Sequence, residues 1–194
     1  MYISTTSLVN LIIAVIGIVV SVFSVFVLIC GISKDKETTR LFSLGFTAML
    51  LCHVCLMVVE FTRVYPDGAH RYLVLTAGFL SYVMAILTAY TISVYLVLCL
   101  SIETRYGRTI YTFLTVYLYF QIVILLYAQF SGKLILINEQ HQYDKGNLYV
   151  LGYAMIASYM MIDFIIMSRY RANIRFKQRL AFAVFFGLPL LTVF

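Results

Sequence analysis

The chain has 194 residues, 63% of them hydrophobic and only 11% charged, with a net charge of +6. A soluble domain carries about 25% charged residues. This composition therefore excludes an ordinary water-soluble domain and makes lipid the solvent for most of the chain. The basic balance does not point to nucleic acid. The cations sit in short loops beside apolar runs, where they meet anionic headgroups.

In chain order, the apolar runs predict an all-α, polytopic transmembrane helix bundle of five full spans and a truncated sixth. The spans are 8–32, 41–61, 72–100, 109–130, 148–167 and 180–194. The first run is too long for a signal peptide and has no basic start, so it reads as a spanning helix. Pro66-Asp67-Gly68 marks the turn before the third span. The longest polar connection, 131–147, contains an apolar tetrad at 134–137 that reads as a short strand or an interfacial segment. The last run holds 15 residues, against the about 20 that cross a bilayer core. The expectation is a single bundle, 1–194, whose cytoplasmic output domain lies elsewhere in a longer protein.

Sidedness follows from charge. The segment 168–179 carries Arg169, Arg171, Arg175, Lys177 and Arg179 and no acid. Positively charged loops resist translocation, so this loop is placed in the cytoplasm. Alternation then puts loops 33–40 and 101–108 inside as well, and the N-terminus outside. The inner loops hold ten cations: those five plus Lys34, Lys36, Arg40, Arg105 and Arg108. The outer loops hold four: Arg63, Arg71, Lys133 and Lys145. Every connection agrees with the rule. The expected localisation is the cell membrane, multi-pass, with the bilayer itself as a partner.

Polar groups within spans are costly and therefore candidates. Asp163 lies near the cytoplasmic end of the fifth span. It reads either as a proton or cation relay or, more plainly, as a helix-end carboxylate paired with Arg169 or a basic neighbour. His53, in the middle of the second span, reads as a pH-sensitive group or as a neutral, hydrogen-bonded core residue. Glu60 is expected to pair with Arg63. Ser81, Thr88, Thr91 and Tyr95 share one face of the third span, and Tyr117 and Gln121 stand on the fourth. Together they predict a polar cleft between spans three and four, or simple interhelical bonding. The outer loop offers Asn138, Glu139, His141, Tyr143, Asp144 and Lys145 as donors, acceptors and both signs of charge for a ligand. The alternative is an ordinary solvated loop. Cys52-His53-Val54-Cys55 has the spacing of a metal or redox pair, but it lies mid-membrane with no second pair and reads as packing residues. No metal, cofactor or catalytic set is expected.

Three stretches carry a likeness to a known family. The loop Lys34-Asp35-Lys36-Glu37-Thr38-Thr39-Arg40 opens a span with Leu41-Phe42. The outer loop runs from Asn138-Glu139 through Tyr143-Asp144-Lys145-Gly146 to Leu148-Tyr149. The basic connector leads to Leu180-Ala181-Phe182 and Leu188-Pro189-Leu190. The whole chain resembles the N-terminal membrane regions of bacterial sensor proteins that carry a cytoplasmic GGDEF diguanylate cyclase domain, or a histidine kinase instead. The resemblance implies a bundle of six to eight helices in the bacterial inner membrane that regulates a domain making cyclic di-GMP from two GTP. It also implies a homodimer. The GG(D/E)EF residues are not in this chain, so no catalytic position is carried over to it.

The expected function is therefore signal transduction: an extracellular or membrane-soluble ligand shifts helix packing, and the shift reaches the output domain. The rival is a small secondary transporter working through Asp163, His53 or the stripe on span three. Transporters show internal repeats and Gly/Pro-broken spans. This chain shows no repeat, and its two prolines are Pro66 and Pro189.

Overall fold

The computed structural model describes residues 5–30, 36–64, 71–99, 104–137 and 143–170. Five helices fill them: α1 Thr5–Cys30, α2 Lys36–Val64, α3 Arg71–Cys99, α4 Thr104–Phe130 and α5 Tyr149–Arg169. None contains a proline, so each main-chain hydrogen-bond ladder runs unbroken. In hydrocarbon that is what lets a helix cross. The expected incomplete sixth span, 180–194, and most of the basic connector lie outside the described residues.

Among the described residues, four helices are long and apolar enough to cross a membrane: the segments Thr39–Thr62, Tyr72–Leu98, Tyr106–Phe130 and Tyr149–Arg169. In α1 the apolar stretch whose side chains are described, Leu8–Val22, is shorter. The described residues thus hold four candidate spans of a helical membrane protein. The helices overrun the apolar runs. α2 starts at Lys36 and α4 at Thr104, so the segments 33–40 and 101–108 are partly helical rather than loops. Hydropathy marks where lipid begins, whereas a helix can continue into the interface, where water serves its end groups.

α3 is the centre. It packs against α2, α4 and α5, while α1 packs against α2. Contacts set the directions. Asn10 meets Glu60 and Gly17 meets His53, so α1 and α2 are antiparallel. Gly45 meets Thr91 and Gly78 meets Val59, so α2 and α3 are antiparallel. Tyr82 meets Tyr149 and Tyr90 meets Tyr159, so α3 and α5 run parallel. The core at the α3–α4–α5 junction is built on Ile86, Leu96, Leu114, Leu125 and Tyr159, all fully buried. The outward face of α4 exposes Phe113, Val116, Phe120, Val123, Tyr127 and Phe130, the surface that lipid tails cover.

α4 ends in a Schellman motif. Gly132 sits at φ 66, and its N–H donates to the Gln129 carbonyl (3.0 Å). The Lys133 N–H reaches back to the Ala128 carbonyl at 2.9 Å. Glycine takes this left-handed position without the Cβ clash that other residues meet. The chain then forms, among the described residues, the one departure from an all-α architecture, an antiparallel hairpin of β1 Ile135–Ile137 and β2 Tyr143–Lys145. Ile135 stands opposite Lys145, Leu136 opposite Asp144 and Ile137 opposite Tyr143. The apolar tetrad at 134–137 is therefore mostly strand. Leu134 and Ile135 are buried, and Ile135 sits in the notch over Gly78 of α3.

Candidate functional site

The polar groups inside the bundle collect in two places, one on each side of α3. On the α4–α5 side, Gln121 is 1% exposed. Its Nε2 donates to the Met155 carbonyl (3.3 Å) and to Ser158 Oγ (3.2 Å). Tyr117 O–H donates to the same Ser158 Oγ at 2.8 Å. One turn further along, Tyr159 is fully buried, with its hydroxyl 3.4 Å from the Leu114 carbonyl. Its ring meets Tyr117 edge-on (centroids 5.4 Å apart) and Tyr90 of α3 (6.5 Å). Tyr90 in turn bonds Thr115 of α4 at 3.0 Å. Below this aromatic layer lies Asp163, 1% exposed. One oxygen each of Gln121 (Oε1) and Asp163 (Oδ1) is buried without a partner among the described residues.

This overturns the expected pairing of Asp163 with Arg169. Six residues set the two about 120° apart around the helix. Asp163 therefore points into the bundle, and Arg169 is exposed. It also replaces the expected cleft between spans three and four. Thr91 lies against Gly45 of α2: a Cβ there would come 2.7 Å from its Oγ1. Ser81, Thr88 and Thr91 donate to their own helix, at the carbonyls of Gly78, Met84 and Thr88. The stripe thus serves the α2 contact, and the polar side of α4 turns to α5. Tyr95 is half-buried, packed at the edge of the core.

On the α1–α2 side, His53 is buried against Gly17, where a Cβ would overlap the ring. His53 Nδ1 lies 2.7 Å from the Met49 carbonyl. A carbonyl only accepts, so Nδ1 carries the hydrogen and Nε2 has no partner among the described residues. Cys52 points the other way and donates to the Ser81 carbonyl (3.4 Å), while Cys55 packs on Val59 and Ala77. The Cys-His-Val-Cys run therefore spreads around α2. Among the described residues no three His, Cys, Asp or Glu side chains converge for a metal. Glu60 accepts from Asn10 Nδ2 of α1 at 2.9 Å. The side chain of Arg63, its expected partner, lies outside the described residues.

Of the outer-loop candidates, Tyr143, Asp144 and Lys145 form β2. Their side chains, and Asn138, Glu139 and His141 entirely, lie outside the described residues. The base of the hairpin is tight. Gly146 N–H donates to the Leu134 carbonyl (3.0 Å) and Leu148 N–H to the Lys133 carbonyl (2.8 Å). A Cβ at Gly146 would run into the Lys133 carbonyl.

Sequence reasoning missed Tyr90, Ser93, Ser158 and Tyr159. Serine and tyrosine inside apolar runs carry little hydropathy signal. The available clue was spacing, because Tyr159 lies one turn before Asp163 on the same face. No protein-family model, curated protein or solved structure matches the chain.

Proposed function

We propose that this chain is the membrane-embedded sensory module of a bacterial signalling protein. It has five spans and part of a sixth, an outward N-terminus, and the segments 33–40, 101–108 and 168–179 in the cytoplasm. The ten-to-four distribution of cations supports that orientation. The observation that carries the sensory reading is the hairpin. Its strand β1 is not a free surface feature: Leu134 and Ile135 are buried, and Ile135 is keyed over Gly78 of the central helix. Its second strand leads directly into α5, which ends at the first residue of the basic connector, Arg169. A ligand held by the outer loop displaces α3 and α5 together, and both end on the cytoplasmic side in this orientation.

The output is a cyclic di-GMP-forming domain, or a histidine kinase in its place, and the active form is a homodimer; both rest on the family resemblance. The test is made in cells carrying the full reading frame that encodes this chain. Glu139→Ala or Asp144→Ala changes cellular cyclic di-GMP while membrane expression is unchanged. Equal output from wild type and both variants across candidate stimuli removes the outer loop from the reading. The rival, a small permease, draws on the burial of Asp163. Solute uptake in proteoliposomes that disappears in Asp163→Asn would put it first.

A further inference from the structure

Tyrosine belongs at the ends of a membrane span, where its ring lies among headgroups and its hydroxyl meets water. Among the described residues five tyrosines are exposed. Tyr72, Tyr106, Tyr111 and Tyr127 keep to that rule, each within five residues of the end of a candidate span. Tyr119 breaks it. It is 65% exposed, yet it lies at the middle of the span Tyr106–Phe130. At 1.5 Å per residue it stands about 20 Å along the axis from Tyr106 and about 17 Å from Phe130. The hydrocarbon core is about 30 Å thick, so the ring reaches neither interface.

A hydroxyl in hydrocarbon needs a partner. Threonines of α4 find one at home: Thr112 and Thr115 donate to the carbonyls of Arg108 and Tyr111, one turn back, both at 2.9 Å. A tyrosine cannot do this, because its rigid ring carries the hydroxyl away from its own backbone. Tyr90, Tyr117 and Tyr159 instead reach a neighbouring helix, at Thr115, Ser158 and the Leu114 carbonyl. Tyr119 faces outward, and no described residue hydrogen-bonds its hydroxyl. By the same pattern it reaches for a helix outside the described bundle.

The chemistry of the patch selects that helix. Its exposed neighbours on the outer face of α4, Val116, Phe120 and Val123, are uncharged, so no partner of opposite charge is called for. Two copies of one membrane protein share an orientation, and a two-fold axis along the bilayer normal brings a residue to its own image at the same depth. Only a group that both donates and accepts satisfies itself in that way. A hydroxyl does, whereas a carboxylate or an ammonium does not. α4 is free to take the contact, because it packs on α3 and leaves its outer face uncovered.

We propose that α4 is the subunit contact of a parallel homodimer, with Tyr119 paired to Tyr119 of the partner subunit and lipid displaced at that point. This contact is the interface of the homodimer proposed above, and the identity of the partner rests on that reading.

The test uses the full reading frame that encodes this chain, expressed in bacterial membranes. A photo-crosslinking analogue, p-benzoylphenylalanine, replaces Tyr119 in one sample and Phe113, which stacks on Tyr117, in another. On illumination, position 119 is expected to give a covalent dimer and position 113 none. Tyr119→Phe keeps the ring and loses the hydroxyl. Energy transfer between labelled copies in vesicles is expected to show association weakened roughly 3- to 20-fold, the range of one interhelical hydrogen bond. Where wild type dimerises, adducts of position 119 with lipid alone, within one chain or with another protein overturn the α4 contact and leave the homodimer standing. So does a Tyr119→Phe dimer as tight as wild type. A wild-type protein that is monomeric in vesicles overturns both.

Discussion

The two sides of α3 hold their neighbours by different means. Toward α2 and α1 the contacts are made by small residues. Ala14, Gly17 and Ser21 of α1 are buried, as is Ala48 of α2, and Gly45 brings α2 onto Thr91. The hydroxyls there bond within their own helices, as Ser21 does to the Gly17 carbonyl at 2.7 Å. Toward α4 and α5 the contacts are aromatic and polar: Tyr82, Tyr90, Tyr117, Gln121 and Tyr159, with hydrogen bonds that cross between helices. Lipid tails are as apolar as leucine, so no hydrophobic force draws helices together inside a bilayer. What remains is close fit or polar contact: close fit leads on the α1–α2 side, where Asn10–Glu60 and Cys52–Ser81 add crossing bonds, and polar contact leads on the α4–α5 side.

The comparison breaks first at Gly17. Gly17→Ala pushes a methyl into the His53 ring. The expected loss is about 1–3 kcal/mol of bundle stability, the usual cost of overpacking, read by denaturant titration in micelles. Adding His53→Ala makes room, so the double variant is less destabilised than the sum of the single ones. Gly17→Ala at wild-type stability would mean that fit does not hold α1 to α2. On the polar side the effects are smaller. Tyr117→Phe removes one interhelical bond and costs about 0.6–1.7 kcal/mol. Gln121→Leu removes its bonds and its orphaned Oε1 together and is close to neutral. A clear loss in Gln121→Leu would sharpen the contrast by showing that polarity itself is required there. Thr88→Val is likewise expected to change little, less than about 0.6 kcal/mol, since its hydroxyl bonds only the Met84 carbonyl four residues back. A larger loss would show that the α3 hydroxyls, too, hold α2 in place.

Helices were legible because an apolar run about as long as a bilayer is thick leaves the backbone little choice. The hairpin strand was legible at 134–137 for a related reason, an apolar tetrad inside a polar loop. Partners were harder to read. Gly17 and His53 are 36 residues apart, and nothing in either segment says that one is the socket of the other. Asp163 was singled out as a polar group in an apolar run, but its direction was not legible. Charge proximity along the sequence favours Arg169, whereas the helical angle turns the carboxylate into the bundle. The Ser81–Thr91 stripe was a real face assigned to the wrong neighbour, because periodicity shows that residues share a side and not what covers it.

The crowded base of the hairpin has a mechanical consequence. With Gly146 seated against the Lys133 carbonyl and Leu148 bonded to it, the end of α4 and the start of α5 are stapled together. Any rocking of α5 must therefore pivot at that end. At 1.5 Å per residue, Arg169 lies about 30 Å down the axis from Tyr149, and Asp163 about 21 Å. A tilt of about 5° moves the pivot almost nowhere, Asp163 by about 2 Å and Arg169 by nearly 3 Å, as follows from those lengths. The helix is a lever with its fulcrum beside the hairpin and its longest throw at the basic connector.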